Sequence, residues 1–77
     1  MARGAEVDRS RLDALTPRQK EVIALLGEGL ANKQIARALG ISESRVKQHV
    51  TRLMRMFDVD NRVMLATLVQ GMKDLDK

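Results

Sequence analysis

Hydrophobic residues in this chain recur at spacings of three and four rather than two. Val22, Ile23, Leu25 and Leu26 form a first cluster, Ile35, Ala36 and Leu39 a second, and Val46, Val50, Leu53 and Phe57 a third. Such spacing lines one face of an α-helix, whereas a half-buried strand would alternate apolar and polar positions. The polar residues between the clusters carry the chemistry of helix ends. In Thr16-Pro17-Arg18-Gln19, the Thr16 hydroxyl can accept from the Gln19 N–H while the Gln19 side chain accepts from the Thr16 N–H. Pro17 sits where its missing donor costs nothing. Gly27-Glu28-Gly29 ends that helix, Gly40 closes the next through a positive φ, and Ser42 caps the third. Asp58-Val59-Asp60 is a short break, and Asn61 caps a last helix that ends near Gly71. The pattern predicts an all-α, compact four-helix domain containing a helix-turn-helix, with helices over about 17–27, 32–39, 43–57 and 62–70.

The third helix has two unlike faces. On a wheel of about 100° per residue with Val46 at zero, Val50 falls at about 40°, Leu53 at about 340° and Phe57 at about 20°. These make one buried stripe. Ser44, Gln48, Thr51, Arg52 and Arg55 occupy the opposite arc, with Lys47 on one flank and Arg45 on the other. From Glu43 to Phe57, four cations against one carboxylate leave a net charge of +3, most of the whole chain's +4. Long cations around hydrogen-bonding Gln48 and Thr51 suit a helix in the DNA major groove, where cations meet phosphates and amides or hydroxyls reach base edges. An ordinary solvated helix face would also be basic and polar. What favours DNA is the preceding unit, a helix, a Gly-containing turn and a Ser-capped helix, in which the second helix is the one that enters the groove.

Length and composition narrow the rest. At 77 residues the chain makes one domain, and such a domain buries only roughly 60% of its unfolded surface, so its stability is marginal. The absence of cysteine rules out disulfides and thiolate metal sites, leaving an aliphatic core with Phe57 as the single aromatic. The basic pI of about 10.1 permits a polyanionic partner without requiring one. No run is long and apolar enough for a membrane span and no apolar signal core opens the chain, so the expectation is a cytoplasmic, nucleoid-associated protein without membrane contact. Residues 1–13 are polar and contain Gly4; they read as a flexible arm or linker remnant, with a DNA-contacting arm through Arg3, Arg9 and Arg11 as the alternative. The domain proper is expected over 14–72, followed by a charged, disordered tail at 73–77. His49, the single histidine, falls at the edge of the buried stripe and reads as a packing residue or a phosphate donor rather than a metal ligand or pH sensor. No nucleophile–base pair or metal cluster is apparent, so neither an enzyme nor a cofactor is expected, nor a small-molecule ligand in this domain.

The runs Leu15-Thr16-Pro17-Arg18-Gln19-Lys20-Glu21-Val22, Glu28-Gly29-Leu30-Ala31-Asn32-Lys33-Gln34-Ile35-Ala36 and Leu39-Gly40-Ile41-Ser42-Glu43-Ser44-Arg45-Val46-Lys47-Gln48-His49, with Asn61-Arg62 further on, closely resemble the LuxR/FixJ/NarL family of helix-turn-helix domains. The resemblance extends from about Leu15 to Gln70. It implies a DNA-binding domain of a bacterial transcription regulator, with the second helix as scaffold, the third as recognition helix and the fourth as a dimerisation element. On matching positions it implies Lys47, Gln48 and Thr51 as base-edge contacts. It implies Asn32, Lys33, Ser44, Arg45 and Arg52 as DNA-backbone contacts. Four positions depart from the usual pattern: Ala31 stands where Ser or Thr commonly caps the second helix, Gln19 where Glu is usual, Arg45 where Thr is common, and Met64 where an acidic residue is frequent.

The fourth helix is apolar around much of its circumference. With Leu65 and Leu68 facing the core, Val63, Met64 and Thr67 are left for an exposed dimerisation surface. A two-fold dimer would read two half-sites roughly one helical turn apart. The partners expected are double-stranded DNA and a second copy of the chain, with RNA polymerase as a further candidate. Two rival readings are a sigma-factor-like promoter-recognition domain and a protein-interaction module that antagonises another regulator. The fourth helix argues against the first, and the cationic arc on the third against the second.

Overall fold

The computed structural model describes residues 11–75, with side chains to residue 71. Four helices follow a helical turn at 11–13: α1 (Pro17–Gly27), α2 (Asn32–Leu39), α3 (Glu43–Met56) and α4 (Arg62–Leu75). There is no strand among the described residues, and no described helix is long and apolar enough to cross a membrane.

The helix ends form as their residue types dictate. Both halves of the capping box are made at α1: Thr16 Oγ1 accepts from the Gln19 N–H at 3.2 Å and Gln19 Oε1 from the Thr16 N–H at 3.0 Å. Ser42 Oγ accepts from the Arg45 N–H at 3.1 Å at the start of α3, and Asn61 Oδ1 from the Met64 N–H at 2.9 Å at the start of α4. The weak point is α2, where Ala31 has no side-chain acceptor. Gln34 nevertheless reaches back to the Ala31 N–H at 2.8 Å, keeping half of a capping box.

The helices stop by reversal through left-handed residues. Gly29 (φ 91°) follows α1; its N–H donates to Leu26 O, and the Leu30 N–H donates to Leu25 O. The same 5→2 and 6→1 pair closes α3, with Asp58 (φ 55°) donating to Arg55 O and Val59 to Met54 O. Asp58 is the one non-glycine residue with positive φ among those described. Gly40 (φ 68°) turns the chain between α2 and α3, so three residues join the two helices of the helix-turn-helix.

α1 lies at the centre and packs against all three other helices, while α2 packs chiefly on α3. The core comprises Leu15, Val22, Ile23, Leu26, Ile35, Ala36, Val46, Val50, Leu53, Phe57, Leu65 and Val69, aliphatic except for Phe57. α1 and α4 approach so closely that a Cβ on Gly27 would sit 2.8 Å from Val69 Cγ1.

Three boundaries differ from the sequence reading. Leu12, in the helical turn at 11–13, packs against the core, so the folded part starts before residue 14; the remainder of the expected arm, residues 1–10 with Arg3 and Arg9, lies outside the described residues. Residue 57 ends α3 as its cap rather than its last turn. Most clearly, α4 does not end at Gly71 but continues to Leu75, into the segment expected as a disordered tail. Gly71 keeps helical backbone without positive φ. A glycine stops a helix only when it takes the left-handed turn, and otherwise merely costs about 1 kcal/mol relative to alanine.

Two glycines should therefore respond oppositely to alanine. Gly27→Ala should destabilise the domain by about 1–3 kcal/mol of overpacking, outweighing the gain in helix propensity of up to about 1 kcal/mol. Gly71→Ala, with nothing within 4 Å of the added methyl, should stabilise it by up to about 1 kcal/mol. Urea unfolding followed by circular dichroism checks both signs.

Candidate nucleic-acid interface

The residues on the outer arc of α3 are held there by what lies beneath them. Val46, Val50, Leu53 and Phe57 are all buried, which leaves the helix a single rotational setting about its axis. Ser44, Arg45, Lys47, Gln48, Thr51, Arg52 and Arg55 are consequently exposed. Lys47, Gln48, Thr51, Arg52 and Arg55 together line one shallow depression. All three side chains singled out for base edges therefore share a surface with two guanidinium groups and no carboxylate. Such a surface presents donors from the arginines and lysine and both donor and acceptor groups from the amide and hydroxyl.

The remaining expected backbone contacts are distributed around this surface. Lys33 is exposed on α2, and Ser44 on the first turn of α3. Arg45 lies round the flank of α3, lining a second concavity with Arg18, Ile41, Ser42 and His49. Asn32 is different. It is half-buried, and its Oδ1 accepts from Arg62 Nη1, while Arg62 Nη2 donates to the Leu30 carbonyl. Arg62 thus ties the start of α4 to the start of α2. The 30-residue separation of that pair left no local signal in the sequence, although Arg62 belongs to a recognisable motif. Arg18 was equally hidden: within its own helix it looks like a solvated surface residue.

His49 is half-buried beside this cationic flank. Burial lowers its pKa below the ordinary value, and the positive charges of Arg45, Arg52 and Arg18 lower it further. The neutral imidazole is therefore the favoured form in the free domain.

α4 has its own division. Leu65 is fully buried, as expected, but Leu68 is only half-buried; it is Val69, one turn after Leu65, that seals the core against Gly27. An i, i+4 pair stays closer to one line along the helix than an i, i+3 pair when the contact is with a single neighbouring helix. Val63 and Met64 are 72% and 48% exposed, and with Val59, Thr67 and Leu68 they line a nearly wholly apolar depression.

The family model of the bacterial regulatory proteins of the luxR family matches residues 13–69, spanning all four helices except the end of α4. The chain belongs to the LuxR family. Among relatives of this LuxR-family domain, the nitrate/nitrite response regulator protein NarP of Escherichia coli is 47% identical over 60 residues, covering 78% of this chain and 27% of that protein. The nitrate/nitrite response regulator protein NarL of the same species is 41% identical over 58 residues, 75% of this chain and 27% of NarL. The DNA-binding transcriptional activator DevR/DosR of Mycobacterium tuberculosis is 35% identical over 71 residues, 92% of this chain and 33% of that protein. The LuxR-family chain thus spans about a third or less of the length of these relatives. It is a DNA-binding helix-turn-helix domain of transcription regulation and not an enzyme.

The depressed pKa of His49 has a defined consequence for stability. The unfolded chain takes up a proton at about pH 6.5, where the folded domain resists it. Stability from this group is therefore complete above that pH and is lost as pH falls through the lower folded pKa. Thermal melts between pH 8 and 5 should fall more steeply for the native domain than for His49→Gln.

Proposed function

We propose that this LuxR-family domain binds a specific double-stranded DNA sequence with α3 in the major groove, and pairs through α4 so that two copies read two half-sites. The observation that carries the first part is the depression formed by Lys47, Gln48, Thr51, Arg52 and Arg55. Its side chains are not needed by the core, because the apolar stripe on the other side of α3 meets that need. Lys47, Gln48 and Thr51 are the base readers in this scheme. Gln48 offers the paired donor and acceptor that match adenine, and Lys47 a donor for the acceptors of guanine.

Lys33, Ser44, Arg45 and Arg52 grip the phosphates on either side. Asn32 contributes in a narrower way than its position suggests. Its carbonyl oxygen is occupied by Arg62, so its amide N–H groups are what remain for a phosphate. The reading draws support from the family match and from relatives named as response regulators and as a DNA-binding transcriptional activator.

Pairing through α4 is supported by the apolar surface of Val63, Met64 and Thr67, continued by Val59 and Leu68. Two such surfaces meeting about a two-fold axis would remove Val63 and Met64 from water, and would hold two α3 helices for half-sites about 34–36 Å apart. RNA polymerase belongs to this scheme as a further partner, beside the duplex and the second copy.

Selection from randomised duplexes at about 50 and 200 mM salt tests the scheme as a whole. Recovery of an enriched, two-fold symmetric motif is the expected result, and absence of binding at the lower salt by folded protein would overturn it. On the recovered site, Gln48→Ala or Thr51→Ala should cost about 1–3 kcal/mol and relax preference at one base pair. An equal loss on random DNA would reassign that residue to the backbone. Met64→Glu should leave the isolated domain folded yet abolish two-copy occupancy of the site, as measured by sedimentation of the complex; retained two-copy occupancy would remove α4 from the pairing surface.

A further inference from the structure

The concavity on the flank of α3 is not accounted for by base reading. Arg18 of α1, Ser42 of the turn, and Arg45 and His49 of α3 converge there over an apolar floor provided by Ile41. Three of the five lining residues can carry positive charge, and no carboxylate lines it. Glu21 stands 3.4 Å from Arg18 Nη1 in a pair that is about half exposed, a contact of little strength in water. Ser42 Oγ accepts from the Arg45 N–H, so its own proton remains available to donate. The charged groups facing His49 are Arg18 from α1 and Arg45 and Arg52 from α3 itself. Arg52 also lines the depression with Lys47, Gln48 and Thr51, so α3 supplies side chains to both concavities and one of its guanidinium groups acts on each.

We infer that the Arg18–Ser42–Arg45–His49 concavity is a phosphate subsite that seats one backbone phosphate of the duplex read by α3, with His49 bound there as the imidazolium. This rests on the proposed docking of α3 in the major groove. An acidic protein segment could offer the same charge, but the placement of Arg45 and His49 on the same helix as Lys47, Gln48 and Thr51 favours the duplex, because a helix lying in the major groove is flanked by phosphates as well as facing base edges. The free domain concentrates like charges here, with only the half-exposed Glu21 paired to one of them. Burial and then the neighbouring cations hold the His49 pKa down; a phosphate between Arg18 and Arg45 offsets the second of these and adds an anionic partner, so binding draws a proton from solvent onto the imidazole. By linkage, a group protonated only in the complex strengthens binding as pH falls, by up to about tenfold per pH unit.

The test uses the intact 77-residue chain and its selected duplex, with Arg18→Ala and His49→Gln. Arg18 is about half exposed and lies outside the core, so its truncation leaves the core intact, and circular dichroism verifies this. For Arg18→Ala the slope of log K against log salt should become shallower by about one, with equal loss on specific and random duplexes. Ethylation of one phosphate beside the half-site should weaken the native chain and leave Arg18→Ala unaffected. The native affinity should rise from pH 8 to pH 6, and His49→Gln should flatten that rise. Native binding with an unchanged slope and unchanged ethylation pattern in Arg18→Ala would overturn the subsite while leaving DNA reading by α3 intact. So would a loss confined to capture of purified RNA polymerase, which would assign the concavity to a protein surface. A native chain that binds no duplex at all would instead overturn the docking on which the subsite depends.

Discussion

Burial of the stripe Val46–Val50–Leu53–Phe57 is the constraint from which the outer surface of this domain follows. Each of these side chains contributes about 1.5–3 kcal/mol when removed from water, and together they oppose any rotation of α3 about its axis. A shift by one residue, about 100°, would drive Lys47 toward the core and bring Val46 out. The polar arc is therefore not held by contacts of its own. Arg52, Arg55, Lys47, Gln48 and Thr51 are free to meet a ligand because the other half of the same helix settles their direction.

That constraint needs a partner surface, and α1 supplies most of it. α1 touches each of the other helices, so its alignment sets theirs. Gly27 lets α4 close onto its end, and Val69 fills the space that a larger residue would take. The remaining connection is polar: Arg62 reaches from the first residue of α4 to Asn32 and the Leu30 carbonyl. A buried or half-buried guanidinium bonded to two acceptors directs the approach of two segments more narrowly than apolar contact does. The start of α2 is thereby referenced to α4, while its weak cap at Ala31 leaves it dependent on that support.

How much of this could be read in the chain itself depended on the range of the interaction. Caps and reversals are local, and Thr16, Gln19, Gly29, Gly40, Ser42 and Asn61 act as their residue types imply. The buried stripe of α3 is periodic, so it too was legible, and with it the exposure of the candidate base readers. Four features were not. The extension of α4 through Gly71 turns on a φ angle that glycine leaves open. The choice of Val69 over Leu68 depends on the direction from which α1 approaches. Arg62–Asn32 and the gathering of Arg18 with His49 join residues brought together only by helix packing. Within the candidate site, residue exposure was readable from one helix, whereas grouping of residues from different helices was not.

The elbow after α3 has a bearing on where a duplex can lie. It reverses through Asp58 in the left-handed region and is followed by Asp60, both exposed. These carboxylates stand where the helix already ends in partial negative charge, immediately beyond the last cation, Arg55. A phosphate drawn to the middle of α3 would meet repulsion at this elbow. In the proposed docking, the acidic elbow acts as a fence that ends the footprint there and keeps polyanion off the neighbouring apolar face of α4. In that docking a single short turn would divide the surface into a territory for nucleic acid and a territory for protein.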